Sequence, residues 1–334
     1  MSKLYRIYGS ELSPYSVKVR SFFRYKSIPH RFLVRDADTM ADYQRFAKLS
    51  LIPLVVTPED EGIQDSTPIL EAIEKRFPEP STHPAEPAAR FLSLLLEEFG
   101  DEWGNKWMFH LRWARTEDRL SAGGRIAAAM VARGDEAGRL AMREKVIEGM
   151  SSRVGFVGSN EDTAPQIEQS FRDALALLDR HLADRPFLFG GRPCFADFGI
   201  WGQLYEAWTD PTGGAWIERS APSVLDWIHR MLWPRAEGAF EPLASLLPTL
   251  EPFLAEQVGA LFCPWTLANE AALEGGHEEL SVELAGRRFH QKPQKYHARS
   301  LAALRARYAE LANDAMLDAL LARSGCLAAL RPRS

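Results

Sequence analysis

Leu4-Tyr5-Arg6-Ile7-Tyr8-Gly9-Ser10, followed by Ser13-Pro14-Tyr15-Ser16-Val17-Lys18-Val19-Arg20, is the stretch that decides the fold. The first run is β-prone and stops at Gly9-Ser10. In the second, Pro14 suits a first helical turn, where its missing N–H forfeits no bond, and Val19, Phe22 and Phe23 fall at helical spacing. A strand therefore runs into a helix. Outward from it the spacing predicts a strand at Arg31 to Arg35, a polar helix around Asp38 to Leu49, a strand at Leu54 to Thr57 and a short strand at Gly62 to Gln64. Ser66 then caps a helix with the apolar stripe Ile69, Leu70, Ile73 and Phe77. The predicted order is βαβαββα over residues 1–78. Pro78, Pro80, Pro84 and Pro87 interrupt regular structure and mark a domain boundary.

Residues 88–246 read as an all-α domain, with helices predicted at Ala88 to Arg115, Ser121 to Arg133, Ala137 to Ser152, Pro165 to Ala183, Ala196 to Trp208 and Pro222 to Leu232. Residues 247–334 form a C-terminal extension. In it the patterns predict a helix-like Leu250 to Glu274, a hairpin of Leu280 to Leu284 with Arg287 to Gln291 about Ala285-Gly286, and a final helix from Tyr296 to Arg323.

Composition fits a folded α/β-plus-α chain: 334 residues, 46% hydrophobic and 25% charged, enough for two cores. A net charge of −5 supplies no global field for nucleic acid or an anionic membrane, so a small molecule is the expected partner. Residues 287–334 do carry ten Lys or Arg against three acids, which reads as a solvated helix face or a docking surface. Cys194, Cys263 and Cys326 lie far apart without CxxC spacing, which fits a reducing cytoplasm. No apolar run of membrane-spanning length and no leader-like start are present in the sequence.

Three places carry candidate chemistry. Ser13 stands between a strand end and a helix start, where unpaired N–H groups favour an anion. Its O–H can donate to a bound thiolate and lower the thiol's pKa; equally, Ser13 or Ser16 can simply cap the helix. Pro53 enters an apolar strand in Ser50-Leu51-Ile52-Pro53-Leu54. Asp65-Ser66 precedes a helix and suits either an amino-acid head group or a plain cap. In 101–113, Trp103, Trp107 and His110 share one helical side and could line an apolar pocket, a core or a dimer interface. Tyr8 and Tyr15 lie close to Ser13 in sequence. The histidines, among them His30, His181 and His229, have no metal-ligand spacing, so no metal is expected.

Taken in order, Ser13-Pro14-Tyr15-Ser16-x-Lys18-Val19-Arg20, Ile52-Pro53-Leu54-Val55, Asp65-Ser66 and Arg185-Pro186-Phe187-Leu188-Phe189-Gly190-Gly191-Arg192-Pro193-x-Phe195-Ala196-Asp197-Phe198 resemble the glutathione transferase family. The resemblance covers residues 4 to about 235. It implies a thioredoxin-like first domain, a helical second domain and a cytoplasmic homodimer using glutathione as co-substrate. Ser13 would contact the glutathione sulfur, and Pro53 would be cis, presenting the Ile52 backbone to the cysteinyl part. Asp65 and Ser66 would hold the γ-glutamyl group, Lys48 or Gln44 the glycyl carboxylate, and Tyr15, Trp103, Trp107 and His110 would border a small hydrophobic electrophile. Asp197 would be a helix-capping, structural residue.

The departures are Cys194, where the family usually has Ser or Thr, and Leu51, where it often has a polar residue. Serine rather than cysteine at position 13 argues against mixed-disulfide chemistry. The expectation is transfer of the glutathione thiolate to an electrophile. The alternatives are an inactive member serving as an interaction module and a glutathione-dependent isomerase or lyase.

Overall fold

In the computed structural model, which describes residues 4–36, 38–311 and 314–331, the opening strand β1 (Tyr5–Gly9) leads into α1 (Pro14–Tyr25). The chain continues through β2 (His30–Val34), α2 (Met40–Phe46), β3 (Leu54–Val56), β4 (Gly62–Gln64) and α3 (Ser66–Arg76). The sheet order is β2-β1-β3-β4. β1 and β2 run parallel, joined by α1 as the crossover that a parallel pair requires. β3 is antiparallel to both neighbours, with Tyr8 opposite Leu54 and Leu54 opposite Gln64. This register brings the C-terminal end of β1, the start of β3 and the end of β4 to one end of the sheet. Ile7 and Val55 pack beneath α1 and α3 with Val19, Phe22, Leu70 and Ile73, while Tyr8, Leu54 and Val56 meet Tyr43 of α2 on the opposite face.

The proline-rich link is pinned rather than loose. Lys26 Nζ sits 2.5 Å from Glu74 and donates to the carbonyls of Phe77 and Pro80 at 2.8 Å, and Glu74 also accepts from the Thr82 hydroxyl at 2.7 Å.

The helical domain begins with α4 (Pro87–Phe99), which passes through a π-helical turn at Gly100–Gly104 into α5 (Asn105–Ala114). α6 (Thr116–Met130), α7 (Glu136–Ser151), α8 (Ala164–Leu182), α9 (Phe195–Trp208), α10 (Pro211–Ser220) and α11 (Pro222–Leu232) follow. α10 has no counterpart among the sequence-predicted helices. The Asp197 carboxylate at the start of α9 accepts from the backbone N–H groups of Leu188 and Cys194 and from the Trp227 indole, each at 2.9 Å. The Cys194 thiol donates to the same carboxylate at 3.3 Å, so the cysteine leaves this cap intact. Burial raises the Asp197 carboxyl to about 6 against those hydrogen bonds.

The extension is not an appendage. α12 (Leu243–Phe253) includes Pro248 and Pro252, and a π-helical stretch at Leu254–Phe262 joins it to α13 (Cys263–Glu274). β5 (Leu280–Leu284) and β6 (Arg287–Gln291) form the predicted hairpin, turning through Ala285 and Gly286 at φ 48° and 76°. The predicted final helix is instead α14 (Lys295–Ala309) and α15 (Ala315–Arg323), followed by a short α16 (Leu327–Leu330). Phe253 and Phe262 pack edge-on against Phe99 at 5.4 and 5.9 Å, and Trp265 and Phe289 lie 6.0 and 5.7 Å from Trp103. Residues of the first domain, the helical domain and the extension form one continuous core. None of the described helices is long and apolar enough to cross a membrane.

Lys106 of α5 ties the hairpin down. Its buried Nζ donates to Gln291 Oε1 at 2.7 Å and to the Val157 carbonyl at 3.1 Å. Burial pulls this ammonium down to about 7, with Glu102 opposing. In an unfolded chain the same group titrates at about 10.4. Between those values the unfolded state binds more protons, so this lysine makes folding stability rise with pH across that window. Urea unfolding of wild type and Lys106→Met at intervals from pH 7 to 10 should show the wild type gaining on the variant as pH increases. A constant difference would contradict the assignment.

Candidate functional site

Ser13 is the N-cap of α1, in extended conformation, and its Oγ accepts from the Ser16 N–H at 3.3 Å. The capping reading is therefore realised in this geometry, and because Oγ is the acceptor there, its own hydrogen stays available to a ligand. Two contacts from the helical domain fix the Ser13 turn. Gly202 of α9 lies so close that an added Cβ would stand 2.7 Å from the Pro14 carbonyl oxygen. Arg112 of α5 donates to the Leu12 carbonyl at 2.8 Å while its guanidinium is held at 2.6 Å by both Glu206 and Asp210. Burial works against this cation, but the two carboxylates override it and raise its pKa.

The Ile52–Pro53 bond is cis, immediately ahead of β3. The loop before it is tied by Gln64, whose Oε1 accepts from the N–H groups of Lys48 and Leu49 at 2.6 and 2.9 Å, and whose Nε2 donates to the Leu49 and Leu51 carbonyls at 2.8 and 3.1 Å. Lys48 and Gln44 are exposed on that rim.

Asp65 precedes α3 with φ 77°, a left-handed conformation that a non-glycine residue adopts at a cost and that recurs at ligand clamps. Its carboxylate accepts from the phenol of Tyr296 at the start of α14. The Ser66 side chain is buried. Lys18 Nζ lies 3.4 Å from the Ser66 and Thr67 hydroxyls and 2.5 Å from both Glu97 of α4 and Asp101 of the π-helical turn. Burial would lower the Lys18 pKa, but Asp101 and Glu97 hold it above the ordinary lysine range. Burial pushes the Asp101 carboxyl well above the usual carboxylate range, with Lys18 opposing. This buried triad joins α1, α3 and α4 directly under the Asp65-Ser66 corner.

The residues expected to border an electrophile are engaged in other contacts. Trp103, Trp107 and His110 are 0, 1 and 2% exposed, so they do not face an open cleft. Both indole N–H groups donate to Ser170 Oγ at 2.9 Å, and His110 is held between Ser159 at 2.7 Å and Glu168 at 3.1 Å. Trp265 and Phe289 of the extension cover Trp103, whereas Trp107 and His110 are covered from within the helical domain by Ser170, Phe171 and Glu168 of α8 and by Ser159. Tyr15, half-buried, donates its phenol to the Asp101 carbonyl at 2.9 Å, and the Tyr8 phenol donates to Asp42 on the α2 face. The site contacts missed in the sequence are those of Lys18, Arg112 and Tyr296. Lys18 stands inside the quoted motif, whereas nothing local to Tyr296 pairs it with Asp65.

The architecture is a thioredoxin-like sheet domain followed by a helical domain. Residues 12–76 match the family model for the glutathione S-transferase N-terminal domain and residues 161–230 that for the glutathione S-transferase C-terminal domain. The chain belongs to the glutathione S-transferase family.

Among solved structures it is similar to a glutathione S-transferase from Methylobacterium radiotolerans in complex with glutathione sulfonate, at 20% identity over 71% of this chain and 98% of that one, TM-score 0.42. A glutathione S-transferase from Rhodospirillum rubrum F11 shares 17% identity over 72% and 96%, TM-score 0.43. The β-etherase LigF from Sphingobium sp. shares 16% over 69% and 95%, TM-score 0.42. The chain matches none of the curated proteins compared with it.

Proposed function

We propose that this protein is a glutathione transferase that binds the tripeptide across the end of the sheet where β1, β3 and β4 meet and transfers its sulfur to a small apolar electrophile. The observation that carries this reading is the register of Tyr8, Leu54 and Gln64, which gathers Ser13, cis-Pro53 and Asp65 at one edge. The Asp65 carboxylate would pair with the γ-glutamyl ammonium, and the first N–H groups of α3 would receive the adjacent carboxylate. The Ser66 side chain faces Lys18, so its contribution runs through its backbone. The Ile52 backbone would pair with the cysteinyl unit as an added strand edge, and Lys48 would meet the glycyl carboxylate. The Ser13 hydroxyl would donate to the sulfur and favour thiolate; the thiolate then forms the C–S bond as the electrophile's leaving group departs with its electron pair. This reading implies a cytoplasmic homodimer, checked by light scattering on the purified protein.

Calorimetry with reduced glutathione is the first test, and absence of binding by wild type removes the proposal. Ser13→Ala should then lower the conjugation rate roughly 10- to 100-fold with little change in glutathione affinity, since a hydrogen bond to a charged group is worth about 1.5–3 kcal/mol. Equal rates would clear Ser13 of the role.

One observation favours a second reading, a binding module without turnover: Tyr296 of the extension already occupies the Asp65 carboxylate. Tyr296→Phe separates the two. Glutathione binding that appears only in the variant supports the module; binding in both supports the transferase.

A further inference from the structure

We propose that Glu98, Glu102 and His297 form a binding site for a divalent transition-metal ion, with zinc the best match, that staples the extension to the helical domain. Among the described residues these three offer ligand atoms that all lie within 4.8 Å of one another. Glu98 lies in the last turn of α4 and Glu102 in the π-helical turn, four positions on, so their carboxylates share one side of that helical run. His297 comes from the first turn of α14, far along the chain, which is why histidine spacing in the sequence gave no sign of it.

The distances argue for an ion between these groups. His297 Nδ1 stands 3.5 Å from Glu98 Oε1 and 3.5 Å from Glu102 Oε2, longer than an ordinary N–H···O bond of about 2.7–3.2 Å. Tetrahedral zinc with bonds of about 2.0–2.1 Å sets its ligand atoms about 3.3 Å apart, close to both separations. Glu98 Oε1 is sealed from solvent and has no hydrogen bond of ordinary geometry; the charged group it faces is the His297 imidazole at 3.5 Å. Ser300 Oγ approaches Nδ1 at 3.4 Å but spends its own hydrogen on the His297 carbonyl at 2.9 Å.

On its far side the ring is prepared as a ligand. Nε2 is bonded to the Thr266 hydroxyl, the outer partner that orients metal-bound histidines, and the ring is packed by Trp265 at 4.4 Å and Phe262 at 5.7 Å between centroids. One nitrogen and two carboxylate oxygens leave a fourth position for water, a donor set suited to zinc and poorly suited to magnesium, which prefers six oxygens. The alternative is a buried imidazole held between two carboxylates and nothing more.

Calorimetric titration of chelator-treated full-length protein with zinc chloride decides between them. One zinc per chain is expected, with a raised melting temperature, at least tenfold weaker binding in Glu98→Gln and in Glu102→Gln, and no response to magnesium. His290→Gln, removing a histidine that faces Asp162 and Glu279 elsewhere, should bind zinc as wild type does. X-ray absorption of the wild-type zinc complex supplies a readout independent of variant folding: one imidazole nitrogen with oxygen ligands is expected. Absence of stoichiometric binding, binding unchanged in both glutamate variants, loss of binding in His290→Gln, or a shell without imidazole overturns the proposal.

Discussion

A chain ending at Leu246 is expected to lose cooperative folding altogether. The cut removes Leu250, Phe253, Leu254, Phe262, Trp265 and Phe289, all buried, and lays bare Phe99, Trp103 and Phe91 of the helical run beneath them. At about 1.5–3 kcal/mol for each of these three side chains returned to water, the loss of about 4.5–9 kcal/mol is comparable with the 5–15 kcal/mol that roughly separates a folded domain from its unfolded ensemble. The truncated protein should appear in the insoluble fraction or, if soluble, bind a hydrophobic dye, with a flattened near-ultraviolet circular dichroism spectrum. A sharp thermal transition with native aromatic dichroism would refute the single shared core. Deleting the extension therefore cannot probe a partner-binding role for it, and point changes such as Tyr296→Phe are the usable instrument.

The second large effect is expected from Lys18→Met. The ammonium serves Glu97 and Asp101 at 2.5 Å and reaches the hydroxyls of Ser66 and Thr67, all in a region shut off from water. Removing the single cation leaves two carboxylates facing each other without compensation, and breaking a buried ion pair from one side costs about 3–5 kcal/mol. Urea denaturation should register a loss of that size. The triple change Lys18→Met, Glu97→Gln, Asp101→Asn should recover a good part of it, because no uncompensated charge is then left behind. Stability equal to wild type in the single variant would mean that the triad carries no net interaction.

The sequence disclosed what local chemistry controls. The β-prone start, Pro14, and the Ala285-Gly286 turn each state their conformation within a few residues, and the strand-helix order and hairpin follow from them. α10 escaped because its Gly213 and Gly214 argue against a helix by propensity. In the fold Gly213 is needed for contact: a Cβ there would stand 2.3 Å from the Ala207 carbonyl oxygen. The Trp103, Trp107 and His110 stripe was visible as a stripe, but periodicity cannot say what covers it, and the cover arrives from α8 and Ser159 as well as from Trp265 and Phe289 of the extension. Arg112 beneath Leu12 and Tyr296 against Asp65 are pairings across separate parts of the chain, specified by packing rather than by neighbours in sequence.

The clasp formed by Lys26, which holds Glu74 and the carbonyls on either side of Pro78-Glu79, ties the link to the first domain, and the bonds from Ser21 and Arg24 of α1 to the Met231 and Leu232 carbonyls tie that domain to the second, which together stiffen the joint on which the two halves could swing. Guest molecules must then be admitted by small local adjustment, in the Gln64-tethered rim at 48–51 or in the first turn of α14, and the pose of one half against the other is set before anything binds. Spin labels placed on α2 and α11 should accordingly report the same spacing with and without glutathione.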